Sequence, residues 1–299
     1  MVIRGRFVVT MATALVLALS LVGLTGCKEE PVVETAPVVE STEPASPLDV
    51  FDGLEGTIDI AGGTAHVPVM EAVAGEIMAA HDDISITIAG GGSGVGVQQV
   101  GEGLVDIGNA GREPKDEEMA KYPDLIKYAW AIDGVTAIVN PENSVQNLTS
   151  EQLQKIFAGE ITDWSEVGGE AGAINVFARE EGSGTGETFI DQGLDGGDVT
   201  AQATIVSSNG AMKTAIAADA QAIGFMGIGG VDDTVAAVSF NGVEPNQASA
   251  LDGSYTITRK LYSLTNGEPD GLVKAFVDFI MGPDAVTYIE DAGYIATYK

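Results

Sequence analysis

An α/β fold with parallel strands is predicted, because strand-like and helix-like segments alternate along most of the chain. Two stretches carry that prediction most clearly. Residues 84–88, Ile-Ser-Ile-Thr-Ile, alternate apolar and polar side chains with period two, while residues 67–80 place apolar side chains at helical spacing. The interval at which strand, loop and helix recur suits parallel strands joined through helices on the sheet faces.

The elements follow in order. Residues 56–62, Gly-Thr-Ile-Asp-Ile-Ala-Gly, read as a strand that enters a glycine turn, and the helix at 67–80 comes next. After the strand at 84–88, the loop 90–94 leads into a short helix that ends near Val100, and residues 104–108 are strand-like again. The middle of the chain repeats this grammar. A helix starts at Leu148, capped by Thr149 or Ser150; residues 173–178 form a strand; and a helix opens near Ser183. Residues 207–218 are helical and 222–226 a short strand, and the tail, 271–280 and 283–292, makes two amphipathic helices.

The chain has 299 residues, of which 44 are acidic and 14 basic, for a formal net charge of −30. Such a surface repels nucleic acid and anionic lipid headgroups, so no nucleic-acid partner is expected. Arg4 and Arg6 precede an apolar run from Phe7 to Leu24, the mark of an export signal over residues 1–26. Leu24-Thr25-Gly26-Cys27 resembles a lipobox, with lipid attached to Cys27 as the first mature residue and a palmitate among the acyl chains. A plain transmembrane anchor is the other reading, since the run is near the lower limit of ~17–25 residues for a span. Either way the folded part is extracytoplasmic. Residues 27–49 are rich in Pro, Glu, Ser and Thr and lack the apolar surface to fold, so they read as an extended acidic linker. Cys27 is the single cysteine, which excludes a disulfide framework.

Three polar glycine loops stand at the C-terminal ends of expected strands: residues 61–65, residues 90–96 and residues 179–186. Ligands bind at that end of an open parallel sheet. Glycine allows close backbone approach, hydroxyls donate hydrogen bonds, and free amides at a helix start favour an anion. Arg179 adds a charge-assisted donor pair suited to a tetrahedral oxyanion. An enzyme is not expected. No Gly-x-Ser-x-Gly elbow or Gly-Lys-Ser/Thr P-loop is present, and His66 and His81 stand apart, with no metal-ligand spacing around them. His66 is read as filling the start of a helix.

These loops resemble those of the solute-binding lipoproteins of phosphate ABC importers, the periplasmic-type phosphate-binding proteins. The similarity runs from about residue 56 to 292. It is carried by residues 90–96 followed by Asp106-Ile-Gly-Asn-Ala-Gly-Arg112, by Ile156-Phe-Ala-Gly-Glu-Ile-Thr-Asp-Trp164, by residues 179–185, and by Tyr255-Thr-Ile-Thr-Arg-Lys-Leu-Tyr262. The resemblance implies a two-lobed type II periplasmic-binding-protein-like fold, each lobe a mostly parallel sheet flanked by helices, with the ligand in the interlobe cleft. Lobe 1 would hold residues 50–135 and 240–299, and lobe 2 residues 136–239, with bending near 131–140 and 236–242. It implies contacts to inorganic phosphate from Thr64, Ala65, Ser93, Gly111, Arg179, Ser183, Gly184 and Thr185. Arg112, next to Gly111, either faces the ligand as an additional contact or pairs with Glu113 or Asp116 on the surface, and Asn109 is a second candidate donor. Glu181 is expected to orient Arg179 through an ion pair.

The implied partners are phosphate and a membrane-embedded ABC permease with its ATPase, served by a monomer without cofactor or metal. In well-known members of the family an aspartate at the position of Gly111 accepts a proton from the ligand, and others carry serine there. Glycine keeps open another oxyanion, such as sulfate, molybdate or tungstate. A phosphate-sensing lipoprotein in place of a transport component is a separate alternative.

Overall fold

The structure is a computed structural model that describes residues 46–298; the export signal, Cys27 and most of the acidic linker lie outside the described residues. The described residues begin ahead of the expected linker boundary at 49. Pro47–Phe51 form a 3-10 turn capped by Ser46, and Phe51 is fully buried in the first core.

Strand β1 (Gly56–Gly62) leads to helix α1 (Val67–Ala80), β2 (Ile84–Gly90), α2 (Ser93–Gly101), β3 (Ile107–Ala110) and α3 (Asp116–Lys121). β2 and β3 pair with β1 in parallel. The third strand starts three residues later than residues 104–108 suggest: the parallel register sets Ile107 beside Ile60, and Leu104 stays exposed.

β4 (Leu125–Val139) is a 15-residue strand that belongs to both halves of the molecule. Beyond it come β5 (Asn147–Leu148), α4 (Ser150–Ala158), β6 (Asn175–Arg179), α5 (Gly184–Thr188), β7 (Thr204–Val206), α6 (Asn209–Ala217), β8 (Ala222–Gly227), β9 (Ala236–Ala237), β10 (Ser239–Phe240) and α7 (Gln247–Asp252). The chain then returns through β11 (Thr258–Asn266), α8 (Gly271–Met281), α9 (Val286–Asp291) and β12 (Ile295–Ala296). The strand order is β2-β1-β3-β11-β4-β8-β6-β7. Both flanks are parallel, whereas β11 and β4 between them run antiparallel to each other and to their outer neighbours.

Two main cores follow from this layout. The first collects β1, α1, β2 and α8 around Ile58, Val69, Ile77, Trp130 and Phe276. The second is centred on Phe157, Phe189 and Phe225, whose rings lie 4.2 Å apart for the stacked pair Phe189–Phe225 and 4.9 Å apart for Phe157–Phe189. Tyr255 and Ile257 also pack in the second core, so the return crossing lies at residues 257–258, well past 239.

Helix ends follow the local chemistry of the sequence. Thr149 caps α4 by accepting from the Gln152 amide, and Gln152 reaches back to the Thr149 amide. Losing this reciprocal pair in Thr149→Ala should destabilise the protein by about 1 kcal/mol in a denaturant titration, with ligand affinity unchanged. Close backbone packing sets the depth of α2. A β-carbon at Gly96 would press on the Asn109 carbonyl and lie 2.9 Å from its nitrogen, so only glycine lets α2 rest on the ends of β1 and β3.

Candidate functional site

The three glycine loops meet where the two cores face each other. Gly62 ends β1 beside Gly90 of β2 and Asn109 of β3, which brings three strand ends side by side. The Gly63 amide donates to the Asn109 carbonyl and the Gly92 amide to the Gly62 carbonyl, tying these ends together. The loop after β6 reaches them from the other core: the Gly94 amide donates to the Gly182 carbonyl at 3.0 Å. Contact is closest at Gly184, where an added β-carbon would press on Ser93 Oγ and lie 2.9 Å from the Gly111 carbonyl oxygen.

Hydroxyl groups in this region are oriented by what they accept. Thr64 Oγ1 accepts from the Asn209 amide at 3.3 Å, and Ser93 Oγ from the Gly111 amide at 2.9 Å. Ser183 Oγ accepts from the Gly186 amide at 3.2 Å as the cap of α5, while Thr185 Oγ1 accepts from Arg259 Nη1 at 2.8 Å. Each hydroxyl therefore keeps its own hydrogen to donate. Among the described residues, the amides of Thr64, Ala65, Ser93, Gly184 and Thr185 have no protein acceptor, although all but Thr64 are buried. Buried N–H groups are rarely left unpaired. A cluster of them, with donor hydroxyls between, is the chemistry of an anion cradle. Ala65 is fixed from behind, its carbonyl accepting from the Tyr294 hydroxyl at 2.7 Å.

Arg179 ends β6 with a side chain only 1% exposed. Its Nε and Nη2 fork onto the Glu180 carboxylate at 2.9 Å each, Nη1 donates to Asn209 Oδ1 at 3.1 Å, and the carbonyls of Val206 and Ser207 take further bonds. One Nη1 hydrogen is left uncommitted by these contacts. The ion pair thus falls on Glu180, not on Glu181, which is exposed. Period-two alternation would put Glu181 on the face of Arg179, but β6 stops at Arg179 and the chain turns through Gly182 at φ +81.

The two further candidate contacts are engaged elsewhere. Arg112 donates from Nη1 and Nη2 to Glu118 at 2.8 Å each, and its Nε lies 2.9 Å from Glu187, off-line for a hydrogen bond. It borders a polar cavity of about 420 Å³ with Lys115, Glu187, Arg259 and Lys260. Asn109 Oδ1 accepts from the Ser263 hydroxyl at 2.8 Å, and Ser263 in turn accepts from Trp130 Nε1. His66 occupies the residue before α1, as its sequence position suggests, and burial followed by the charge of Arg259 lowers its pKa to about 3. It is neutral at physiological pH.

Sequence reasoning passed over Asp133, Arg259 and Asn209. Arg259 is one of three arginines in the described residues, and all three are buried in this region, which in a chain of net charge −30 is a usable signal. Asp133 pairs with it through Oδ2 at 2.7 and 3.0 Å, and burial raises the carboxyl's pKa against the opposing pull of the guanidinium.

Two α/β lobes sharing a pair of antiparallel crossing strands, with buried donors gathered between them, define a non-catalytic solute-binding protein of type II architecture. The chain matches the family model of the PBP superfamily domain over residues 34–284. It is 36% identical over 242 residues to the phosphate-binding protein PstS of Bacillus subtilis, covering 80% of each chain, and 29% identical over 262 residues to that of Staphylococcus saprophyticus, covering 82% of each. Among solved structures it is similar to a phosphate ABC transporter substrate-binding protein from Clostridium perfringens with bound phosphate, at 32% identity and a TM-score of 0.76, over 81% of this chain and 100% of that one. An ABC-type phosphate transport receptor from Vibrio cholerae aligns at 33% identity and a TM-score of 0.65, over 80% and 99%. The protein belongs to the PstS-like phosphate-binding proteins of the PBP superfamily.

Proposed function

We propose that this protein captures inorganic phosphate between its two lobes and delivers it to an ABC importer at the outer face of the cell membrane. The observation that carries the reading is the buried set of unpaired amides and donor hydroxyls beside Arg179. Thr64, Ala65 and Ser93 supply donors from lobe 1, and Arg179, Ser183, Gly184 and Thr185 from lobe 2, with the Gly111 amide holding Ser93 in place. The relatives named above are phosphate-binding proteins, and the solved relative from Clostridium perfringens holds the anion itself. Tethering through lipid on Cys27, an extracytoplasmic location and a permease with its ATPase as partner complete the reading.

Calorimetry on the purified protein, stripped of anion, should show one phosphate per chain and weaker binding of sulfate. Phosphate oxygens are the more basic and take the stronger charge-assisted bonds from a common set of donors. Sulfate or molybdate binding as tightly as phosphate would overturn the assignment.

A further inference from the structure

Arg259 stands where the crossing strands and the anion loops meet. It is the second residue of β11 and faces Asp133 in the pairing with β4. Nε and Nη2 both donate to Asp133 Oδ2, and the pair is closed off from water, with the side chains 3% and 0% exposed. Nη1 reaches the other way. It donates to the Gly111 carbonyl at 3.2 Å, on the lobe 1 side, and to Thr185 Oγ1 at 2.8 Å, on the lobe 2 side. A β-carbon at Gly111 would lie 2.9 Å from Nη1, so the guanidinium fills the room a side chain at 111 would need.

This arrangement decides what the site offers to a proton on the ligand. Thr64, Ser93, Ser183 and Thr185 each accept from an N–H group and turn their hydrogens outward. The Gly111 carbonyl is the acceptor left at the position where an aspartate would stand, and Arg259 engages it. Resting on the phosphate reading above, we infer that Arg259, held by Asp133, is a positioning residue that makes this a donor-only site and thereby selects dianionic over monoanionic phosphate. A protonated oxygen brings a hydrogen that must find an acceptor; against a ring of donors it loses one bond and meets like-polarity hydrogens. An aspartate at position 111 works in the opposite sense, by welcoming that hydrogen.

Other titratable and charged groups surround the Arg259–Asp133 pair: His66 at the start of α1 and Tyr294 near Arg259, Tyr255 near Asp133, and Arg112, Glu113, Lys115, Glu187, Asp191 and Lys260 around the outer cavity. Burial keeps His66 neutral and holds both tyrosine hydroxyls protonated. Sulfate stays a dianion across neutral pH, so its binding reports any titration of the protein itself.

The test is calorimetry with phosphate and with sulfate at pH 6 and pH 8, on the full-length protein and on two variants. For the wild-type, phosphate should bind on the order of tenfold more tightly at pH 8, following the dianion share, while sulfate binds measurably and equally at both. Asp133→Asn/Arg259→Met removes the buried pair together, and Arg259→Lys keeps a cation without the fork; thermal unfolding confirms that each is folded. With the Gly111 carbonyl released, the phosphate ratio in either folded variant should fall below about threefold, a change that a merely structural arginine would not produce. A wild-type ratio retained in a folded variant, a flat wild-type phosphate profile, sulfate affinity that shifts in parallel, or no sulfate binding overturns the inference. Wild-type protein that binds phosphate at neither pH overturns the reading of the site itself.

Discussion

Arg179→Ala should weaken phosphate binding by about 2–5 kcal/mol, against roughly 0–1 kcal/mol for an arginine on the surface. The large value follows from burial. The guanidinium is held by Glu180, Asn209 and the carbonyls of Val206 and Ser207, so it meets the anion already oriented, with little side-chain entropy left to lose. Removing it does three things at once. It takes away a charge-assisted donor, leaves the Glu180 carboxylate without its cation, and frees the Asn209 side chain, whose backbone amide holds the Thr64 hydroxyl across the lobes. Glu181→Gln, by contrast, should leave affinity within about twofold, since Glu181 is exposed and outside the pair. Calorimetry on both variants checks the contrast. A loss of less than about threefold in Arg179→Ala would put this arginine outside the cradle.

What could be read beforehand was what local chemistry controls. The strand at residues 84–88 announces itself by alternation, α4 by Thr149 and Gln152 three residues apart, and the third loop by Ser183 ahead of a short helix. The proposed donors of the cradle were named in another way, through the resemblance of the three glycine loops to a known family. β4 was not legible as one element. Its first half carries Lys127 among aromatic residues and is partly exposed, its second half sets Asp133 and Thr136 among apolar residues and is buried from Asp133 to Val139, and only the pairing with β11 and then β8 joins them into one strand. Arg259 and Asp133 lie 126 residues apart, and no pattern in either neighbourhood foretells their meeting. Arg112 was ambiguous in a similar way. Of its two acidic partners, Glu118 is six residues away on α3, but Glu187 comes from lobe 2 and appears only when the lobes are in contact. The residues that touch the ligand in this reading could be named from motif; those that orient them are tertiary.

Gly184→Ala should cost about 1–3 kcal/mol of phosphate affinity, roughly 5- to 150-fold, although it adds a single methyl group. Gly184 is the first residue of α5, and its β-carbon would press on Ser93 Oγ while lying 2.9 Å from the Gly111 carbonyl carbon and oxygen. Ser93 can turn aside only by giving up the Gly111 amide. The Gly111 backbone is pinned between that bond and Arg259, so it cannot yield cheaply. The lobes must instead stay further apart, which lengthens every donor contact made from the opposite side. Stability without ligand should move the other way or not at all, because alanine suits a helix start and shortens the list of unfolded conformations, a gain of up to about 1 kcal/mol. Affinity by calorimetry and denaturant unfolding of the anion-free protein, measured on the same variant, separate the two effects. Lost affinity with kept or raised stability fits loops that must touch to hold the anion; unchanged affinity would mean that phosphate is bound with the two loops apart.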